Sequence, residues 1–336
     1  MKAVRFHQTG SVETLKYEDV SNPVPAEGEV LVRMKAAAIN RMDIFLRSGE
    51  ANMPGFKMPH TGGFDIAGEV AAVGPGVASD LIGKPVVVKA RVTGPKARGS
   101  LDIIGIARPG GFAELVAVPA HCVAPKPAGY SFEEAAAFGC VYLTAFYGLC
   151  WIANVKPGET VLVHAAGSGA GSAAIQVAKS CGAVVITTAG SDEKCATAQS
   201  LLKADHAVNY RKHDFREVVR NVTGGRGVDV VFDPVWGDTA AKTSDAIARY
   251  GRWIVLGMVG GRSATLEAAK LMFNEVTLRG IVEFYSDDRI IDAAWAMAHQ
   301  GLVRPIINRV WKLGELAAAQ RQMEEGNFFG KIVVTP

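Results

Sequence analysis

A run of small residues between positions 164 and 174, within the segment VLVHAAGSGAGSAAIQVAK (161–179), has the composition of an anion-binding turn. The segment begins as an apolar strand and ends with helical spacing, and glycine, serine and alanine fill the turn between them. The first amides of a helix lack intrahelical acceptors, and the helix dipole adds partial positive charge there. Small side chains allow a diphosphate to approach such amides, as in the dinucleotide fingerprint G-x-G-x-x-G.

The fingerprint fits this turn in two registers. One register places Ala166, Ser168 and Gly171 at the three glycine positions, and the other places Gly167, Gly169 and Ser172 there. The motif alone is equally typical of a tight strand–helix turn that binds nothing. Strand–helix units follow it along the chain, and this context favours a dinucleotide site. A side chain at position 171 is expected either to enter the phosphate position or to push the helix off the strand.

The end of the next apolar strand, in VVITTAGSDEK (184–194), bears on which dinucleotide is bound. NAD enzymes usually carry an acid there, which bonds the ribose 2′-OH. Here Asp192 and Glu193 come slightly later, in the first turn of a helix that Ser191 or Asp192 caps. Lys194 follows near the expected place of a 2′-phosphate. We therefore predict NADP(H), with a solvated surface lysine as the alternative interpretation of Lys194.

Bulk properties exclude several classes of protein. The chain has 336 residues, of which 49% are hydrophobic and 21% charged, and this predicts about two globular domains. A net charge of +3 is too small to indicate nucleic acid or a membrane surface as a partner. No apolar run of membrane-spanning length and no signal peptide are evident, so a cytoplasmic protein is expected. The five scattered cysteines predict free thiols rather than disulfides or a metal cluster.

The elements that must position these residues change character along the chain. Short apolar runs that end at glycine or asparagine predict strands and a small barrel-like domain in the first third. Ser131 and the acids after it predict a helix over 131–153. The predicted strands of the first third lie within 28–40, 63–74, 83–90 and 110–127.

Strands and helices alternate after this point, which predicts a parallel sheet covered on both faces. A further strand over 277–284 precedes a last helix, and the tail 330–336 ends as a strand. The predicted strands are 160–165, 184–189, 206–210, 228–235 and 251–257, and the predicted helices are 171–181, 192–203, 213–222, 237–249 and 287–301.

Several motifs in one order resemble the medium-chain dehydrogenase/reductase superfamily, in its zinc-less quinone oxidoreductase (zeta-crystallin-like) branch. They include AAAINRMDIFLRSG, GGFDIAGEVAAVGPGV, GGFAELVAVP, LTAFYGL, the glycine turn, GGRGVDVVFDPVWG and FGKIVVTP. The resemblance implies an α/β protein with a GroES-like β-rich catalytic domain and a Rossmann doubly wound parallel sheet. It implies that 1–125 and 286–336 form the GroES-like domain, and that 126–285 form the Rossmann domain.

The resemblance also allows the metal sites of zinc-dependent members to be checked by position. Asn40 stands where those members have a ligand cysteine, and Phe64 stands where they have a ligand histidine. Only Cys140 matches the third ligand, and a catalytic zinc needs three. The residues 90–111, where a structural zinc lobe would lie, contain no cysteine. No zinc is therefore expected, and Cys140 is interpreted as a small packed residue.

The resemblance assigns cofactor contacts to residues spread over the chain. Residues 168–171 would hold the diphosphate, and Thr144 would contact the nicotinamide or its ribose. Residues 257–259 would flank the nicotinamide. Phe329 and Lys331 in the tail would close over the cofactor.

Ser191, Lys194 and Tyr210 match the 2′-phosphate site of the zinc-less branch. Asn40 would face the cleft between the domains, where it would polarise a carbonyl group. Asn40 and Thr144 are thus the candidate catalytic residues. The complete predicted cofactor set is Asn40, Thr144, Ser168, Gly169, Ala170, Gly171, Ser191, Lys194, Tyr210, Gly257, Met258, Val259, Phe329 and Lys331.

The expected activity is NADPH-dependent hydride transfer, without zinc, to a quinone or an α,β-unsaturated carbonyl. Phe45 stands where zinc-less members often have a tyrosine, so substrate preference is open. An alcohol dehydrogenase-like enzyme, with or without zinc, is one alternative. A non-catalytic NADPH-binding structural or adaptor protein is another. A homodimer is expected, paired through the edge strand 277–284.

Overall fold

The structure, a computed structural model, describes residues 1–93 and 101–336. It divides into two compact units: unit 1 comprises Met1–Cys140 and Arg304–Pro336, and unit 2 comprises Val141–Val303. Both boundaries fall later in the chain than the predicted 125/126 and 285/286. The first half of the predicted helix 131–153 belongs to unit 1 because it packs there. The amide of Cys140 donates a hydrogen bond of 2.8 Å to Asp65.

The strands account for both sheets and a separate hairpin. They are β1 Lys2–Arg5, β2 Lys16–Asp19, β3 Glu29–Ala38, β4 Asp65–Val73, β5 Pro85–Val88, β6 Leu115–Pro119, β7 Val123–Pro125, β8 Thr160–Val163, β9 Val184–Ala189, β10 His206–Asn209, β11 Val228–Asp233, β12 Ile247–Val255, β13 Thr277–Gly280, β14 Ile307–Lys312 and β15 Lys331–Thr335.

The helices lie mainly in unit 2, with a few in unit 1. They are α1 Arg41–Ser48, α2 Phe132–Phe146, α3 Gly169–Ser180, α4 Asp192–Leu202, α5 Phe215–Val222, α6 Ala240–Ser244, α7 Ala268–Phe273, α8 Asp288–His299 and α9 Leu316–Glu325.

Unit 1 is built around a seven-stranded sheet in the order β14-β15-β3-β4-β5-β7, with β6 also paired to β3. Strand β3 is the centre of this sheet, since it pairs antiparallel with β4, β6 and β15. Val30, Val32 and Met34 alternate inward from β3 and are fully buried. The β-rich character predicted for the first third of the chain is therefore confirmed.

Unit 2 contains a six-stranded parallel sheet in the order β10-β9-β8-β11-β12-β13. All four residues of β8 are buried, as expected for a central strand covered on both faces. The strand order reverses between β8 and β11, and ligands of such sheets bind outside the carboxyl ends of the strands at this reversal. The doubly wound parallel sheet is confirmed, and it places the glycine turn after β8 at the reversal.

Two predicted elements extend well past the residues at which they end in the structure. The helix predicted over 237–249 is wrong beyond Ser244, because the chain joins the sheet at Ile247, where β12 pairs with Val228 of β11. The strand predicted over 277–284 is shortened to β13, which ends at Gly280. A short 3₁₀ turn, Glu283–Tyr285, follows it.

Helix α2 begins with a capping box. The amide of Glu134 donates to Ser131 Oγ (3.2 Å), and the amide of Ser131 donates to Glu134 Oε2 (2.8 Å). The helix continues as a π-helical turn over Tyr147–Ile152. The combined segment, Phe132–Ile152, is long and apolar enough to cross a membrane. The sequence-based expectation that the chain has no apolar run of this length is therefore wrong. More than half of the segment is buried, as in the core helix of a folded domain.

Candidate functional site

The turn after β8 presents the start of a helix at the carboxyl edge of the unit 2 sheet. Ser168 is the N-cap of α3, and its hydroxyl accepts a hydrogen bond of 2.9 Å from the amide of Gly171. The amides of Gly169 and Ala170 precede Gly171 in the first helical turn, where helix geometry provides no intrahelical acceptor. This arrangement has the geometry of a helix N-terminus that can accept an anion, and the anion site itself stays a prediction.

Gly171 is required by close packing of α3 on the preceding chain. A Cβ at this position would lie 2.1 Å from the carbonyl oxygen of Ala165 and 3.1 Å from that of His164. The clash is with backbone, so it cannot be relieved by moving a side chain. Of the two expected consequences of a side chain at Gly171, this backbone clash favours displacement of the helix from the strand.

The glycine turn is anchored to the end of β9 by Thr188. The Thr188 carbonyl accepts from the amide of Ala166 (2.9 Å), and its hydroxyl accepts from the amide of Ala165 (3.3 Å). The ring of His164 lies between the hydroxyls of Thr188 (3.1 Å) and Thr243 (3.0 Å). Burial lowers the pKa of His164, so the imidazole is neutral at neutral pH. The sequence analysis missed this anchor, although His164 directly follows the buried strand β8 and Thr188 lies near the end of the buried strand β9.

The predicted 2′-phosphate residues meet beside Gly190, at the end of β9. A Cβ on Gly190 would lie 3.0 Å from the Tyr210 hydroxyl and 3.6 Å from Arg211 Nε. Ser191 caps α4, with its hydroxyl accepting a 3.2 Å hydrogen bond from the amide of Lys194. Arg211 was missed, although it directly follows the predicted Tyr210.

Two positive side chains lie near each other in this group. Burial and then the guanidinium of Arg211 lower the pKa of Lys194, and Glu193 acts in the opposite direction. The contacts of Asp192 differ from those expected of an acid that bonds the ribose 2′-OH. Its carboxylate accepts from Asn209 Nδ2 (2.7 Å) and Lys212 Nζ (2.5 Å).

The residues predicted to flank the nicotinamide follow β12. A Cβ on Gly257 would lie 2.4 Å from the carbonyl oxygen of Pro234, so the two loops that follow β12 and β11 approach through their backbones. The next two residues, Met258 and Val259, are exposed. Thr144, on α2, is buried.

Four buried polar residues form a cluster in unit 1, the Lys331 cluster: Asn40, Asp43, Asp65 and Lys331. Lys331 Nζ donates to Asn40 Oδ1 (2.6 Å) and to Asp65 Oδ2 (3.2 Å). Asn40 Nδ2 also donates to Asp65 Oδ2 (2.8 Å). A buried ion pair is tolerated when its remaining polar atoms are satisfied, and here amide groups complete the set.

Asp43 joins this cluster to the start of α1. Its carboxylate accepts from the backbone amides of Asn40 (2.8 Å) and Gly63 (3.0 Å), and the first bond is part of a capping box. Burial raises the pKa of Asp43 to about 7, and the two amide donors limit the rise.

The structure places three predicted site residues in unit 1, and two of them have other surroundings than the sequence suggested. Lys331 was predicted to close over the cofactor, but its ammonium is buried in the cluster and pairs with Asp65. Asn40 was predicted to polarise a carbonyl, but its side-chain oxygen accepts from Lys331 and its nitrogen donates to Asp65. Phe329 is half-buried in unit 1.

The side chains at the positions of a catalytic zinc do not fit that metal. Phe64 is buried and offers no ligand atom, and Asn40 is engaged by the ammonium of Lys331. A cation already present among these groups also disfavours a second one by repulsion. Within residues 1–93 and 101–336 we find no group of three or more histidine, cysteine or acidic side chains able to hold a metal ion.

Comparison with known proteins is consistent with both units. Residues 26–128 match the alcohol dehydrogenase GroES-like domain family, and residues 169–299 match the zinc-binding dehydrogenase family. A quinone oxidoreductase from Lama guanicoe is 29% identical over 341 residues, which cover 99% of this chain and 97% of that protein.

Two solved structures extend the comparison over the whole chain. An NAD-dependent alcohol dehydrogenase is 36% identical, with a TM-score of 0.93 and full coverage of both chains. This chain belongs to the medium-chain dehydrogenase/reductase superfamily, in its quinone oxidoreductase branch. A quinone oxidoreductase of Escherichia coli, in complex with NADPH, is 27% identical with a TM-score of 0.86 and full coverage of both chains. This member of the superfamily is accordingly an oxidoreductase.

Replacing Gly171 by valine is expected to abolish dinucleotide binding. The new side chain must displace α3 from the Ala165 carbonyl, and this moves the first-turn amides. Overpacking of this kind costs about 1–3 kcal/mol of stability. Wild-type protein should gain about 2.7 kcal/mol at a NADPH concentration of a hundred times Kd, and the variant should gain none while remaining folded. Thermal unfolding with and without NADPH measures both effects.

Gly280→Ala serves as the matched control, because a Cβ there meets only the Val255 carbonyl oxygen at 3.9 Å. It should retain the full gain from NADPH. Near-normal NADPH affinity in Gly171→Val would contradict the assignment of this turn to the cofactor.

Because the carboxyl group of Asp43 is buried, the folded protein is expected to lose stability as the pH rises. The pKa of this group is near 7 in the folded protein but about 3.9 in an unfolded chain. The folded state therefore holds the proton more tightly, and stability falls as pH rises through this interval. From about pH 5 to about pH 8 the loss from this group is about 2–3 kcal/mol. In Asp43→Asn the decline should be smaller by that amount.

Urea unfolding at both pH values measures the decline, with Asp80→Asn at an exposed position as the control. An equal decline in wild type and Asp43→Asn would show that the buried carboxyl does not titrate in this range.

Proposed function

We propose that this oxidoreductase uses NADPH to reduce quinones or α,β-unsaturated carbonyl compounds, and that it does so without zinc. The observation that carries the proposal is the pair of positive groups, Lys194 and Arg211, beside Tyr210 at the end of β9. A phosphate group carries negative charge that both can bind, and charge-assisted hydrogen bonds of this type are strong. The NADPH complex of the E. coli quinone oxidoreductase supports the choice of cofactor.

The cofactor, when bound, supplies the hydride from its nicotinamide ring. Residues 168–171 would hold its diphosphate through the first-turn amides of α3. Ser191, Lys194, Tyr210 and Arg211 would bind the 2′-phosphate. Residues 257–259 would flank the nicotinamide, and Thr144 would contact the ring or its ribose.

The choice of acceptor follows from the hydrogen bonds of Asn40. Both of its side-chain polar atoms are engaged, by Lys331 and Asp65, so it has little capacity to polarise an unactivated carbonyl. Phe45, half-buried on α1, carries no hydroxyl. Quinones and enones accept a hydride with the least assistance, and solvent would deliver the proton.

A steady-state assay tests this function directly. Consumption of NADPH and of NADH is followed with a panel of quinones, enones, simple aldehydes and ketones. Turnover of quinones or enones with NADPH is expected. A second candidate, NAD-dependent alcohol oxidation, is favoured by the similarity to an alcohol dehydrogenase at 36% identity, and NAD⁺ reduction by alcohols would support it instead. Cofactor binding without any turnover would indicate a structural or adaptor protein.

Loss of either positive group should reduce the preference for NADPH. A charge-assisted contact contributes about 1.5–3 kcal/mol, which corresponds to about a ten- to hundred-fold change in Kd. Lys194→Ala and Arg211→Ala should each weaken NADPH binding by about this factor and leave NADH binding nearly unchanged. Fluorescence titration with both cofactors gives the two constants.

Lys212→Ala is the matched control for these variants. Lys212 lies on the same loop, but its ammonium pairs with Asp192. Equal Kd values of the wild type for NADPH and NADH, or no effect of either substitution, would overturn the assignment of NADPH.

Activity is expected to be independent of zinc. Elemental analysis of protein purified without added metal should give well under one zinc per chain, because the positions of a zinc site carry Asn40 and Phe64. Turnover should persist after treatment with a strong chelator. Stoichiometric zinc, together with activity that the chelator removes and zinc restores, would refute this part of the proposal.

We also propose that two copies pair through β13, the exposed edge strand of the unit 2 sheet. The amide of Ile281 donates to Val255 on the neighbouring strand (2.9 Å), so by alternation the amide of Leu278 points outward from the sheet. An exposed edge of this kind is a template for a second strand.

Light scattering should therefore give a dimeric mass for the wild type. Leu278→Pro removes the outward amide and should yield monomers, whereas Leu278→Thr retains it and should remain dimeric. A monomeric wild type at micromolar concentration would exclude this assembly.

A further inference from the structure

Two cysteines of unit 2 bring their sulfur atoms within 3.6 Å of each other. Cys150 lies in the π-helical turn Tyr147–Ile152 that continues α2. Cys181 is the C-cap residue of α3, directly after its last residue, Ser180. Both side chains are half-buried rather than enclosed in the core. The sulfur atoms need to close by about 1.5 Å to reach a disulfide bond length.

We propose that Cys150 and Cys181 form an oxidisable dithiol, at which a peroxide converts the two thiols into an intramolecular disulfide. The proposal concerns a site separate from hydride transfer and does not depend on the function proposed above. It rests first on the sulfur separation, which places the second thiol where it can react with the oxidised first one.

The electrostatics of the pair assign different roles to the two sulfurs. Either thiol can donate the hydrogen bond between the two sulfur atoms. With Cys150 as the donor, this bond lowers the pKa of Cys181 to about 7, with Ser180 adding to the effect and burial opposing it. The same bond, together with burial, raises the pKa of Cys150. A thiolate is the reactive form of cysteine, so Cys181 is the attacking sulfur and Cys150 the resolving one.

Two of the three remaining cysteines provide an internal comparison. Cys122 and Cys195 are buried, and burial raises the pKa of both. These two are therefore expected to react slowly with peroxide.

The proposed reaction balances with hydrogen peroxide as the oxidant. The thiolate of Cys181 attacks one peroxide oxygen, the O–O bond breaks, and hydroxide leaves as the sulfur becomes a sulfenic acid. The sulfur of Cys150 then attacks the Cys181 sulfur. The S–O bond breaks, an S–S bond forms, and the thiol proton leaves with the hydroxide as water. Two thiols lose two electrons in total, and one peroxide is reduced to two waters.

The disulfide would tie the π-helical turn to the C-terminal end of α3, whose N-terminal end forms the anion site. It closes the chain segment 150–181 in the unfolded state, and this restricts the unfolded chain. The oxidised protein is therefore expected to unfold at a higher temperature than the reduced protein.

The test treats the full-length protein with a small excess of hydrogen peroxide. Thiol titration under denaturing conditions should fall from five per chain, the number of cysteines, to about three. Peptide mapping should identify one cross-link, between the peptides that contain Cys150 and Cys181. A small dithiol reductant should restore all the thiols and the lower unfolding temperature.

Serine variants separate the two roles. Cys150→Ser should accumulate a sulfenic acid on Cys181, which dimedone traps, and should form no disulfide. Cys181→Ser should form neither product. Cys195→Ser is the matched control and should cross-link like the wild type. The proposal is overturned if the thiol count stays at five, if the cross-link joins different cysteines or two chains, or if Cys181→Ser oxidises as fast as the wild type.

Discussion

The contact between Gly171 and the carbonyl of Ala165 is the constraint on which the position of the glycine turn in unit 2 depends. It seats the first turn of α3 directly on the chain that leaves β8, with no room for a Cβ. The same chain is held from its other side by Thr188, at the end of β9. The first-turn amides therefore have a fixed position relative to two adjacent strands. An anion site needs this, because its donors must be in place before the ligand arrives.

The structure of unit 1 is constrained differently, because it buries the positive charge of Lys331. Lys331 is accommodated because Asp65 balances its charge and the side-chain oxygen of Asn40 accepts a hydrogen bond from its ammonium. Asp65 in turn accepts the amide of Cys140, and Gly139 leaves room for its carboxylate, since a Cβ there would lie 2.3 Å from Asp65 Oδ1. Removing one partner from such a group leaves an unpaired buried charge, which is strongly destabilising. The cluster thus engages Asn40, one of the three positions at which zinc-dependent relatives would have metal ligands, in hydrogen bonds with other protein groups.

Local patterns predicted the doubly wound sheet, because strand–helix alternation and the residues of the glycine turn are contiguous in the chain. Ser191 was named, with Asp192 as the alternative, as the cap of α4 for the same reason. The Lys331 cluster was not predictable in this way, since Lys331 and Asp65 are separated by 266 positions and only the fold brings them together. The early start of β12 likewise depends on pairing with β11. Arg211 was overlooked because only the bend after β10 turns it toward Gly190.

We propose above that this chain holds NADPH and passes its hydride to an activated acceptor without a metal. A single-turnover experiment tests it most directly. Protein freed of metal with a chelator is loaded with one equivalent of NADPH and mixed with excess quinone, while the absorbance of the reduced nicotinamide is followed. We expect complete loss of that absorbance in a single phase, unchanged by added zinc. Absorbance that persists until zinc is supplied would contradict it.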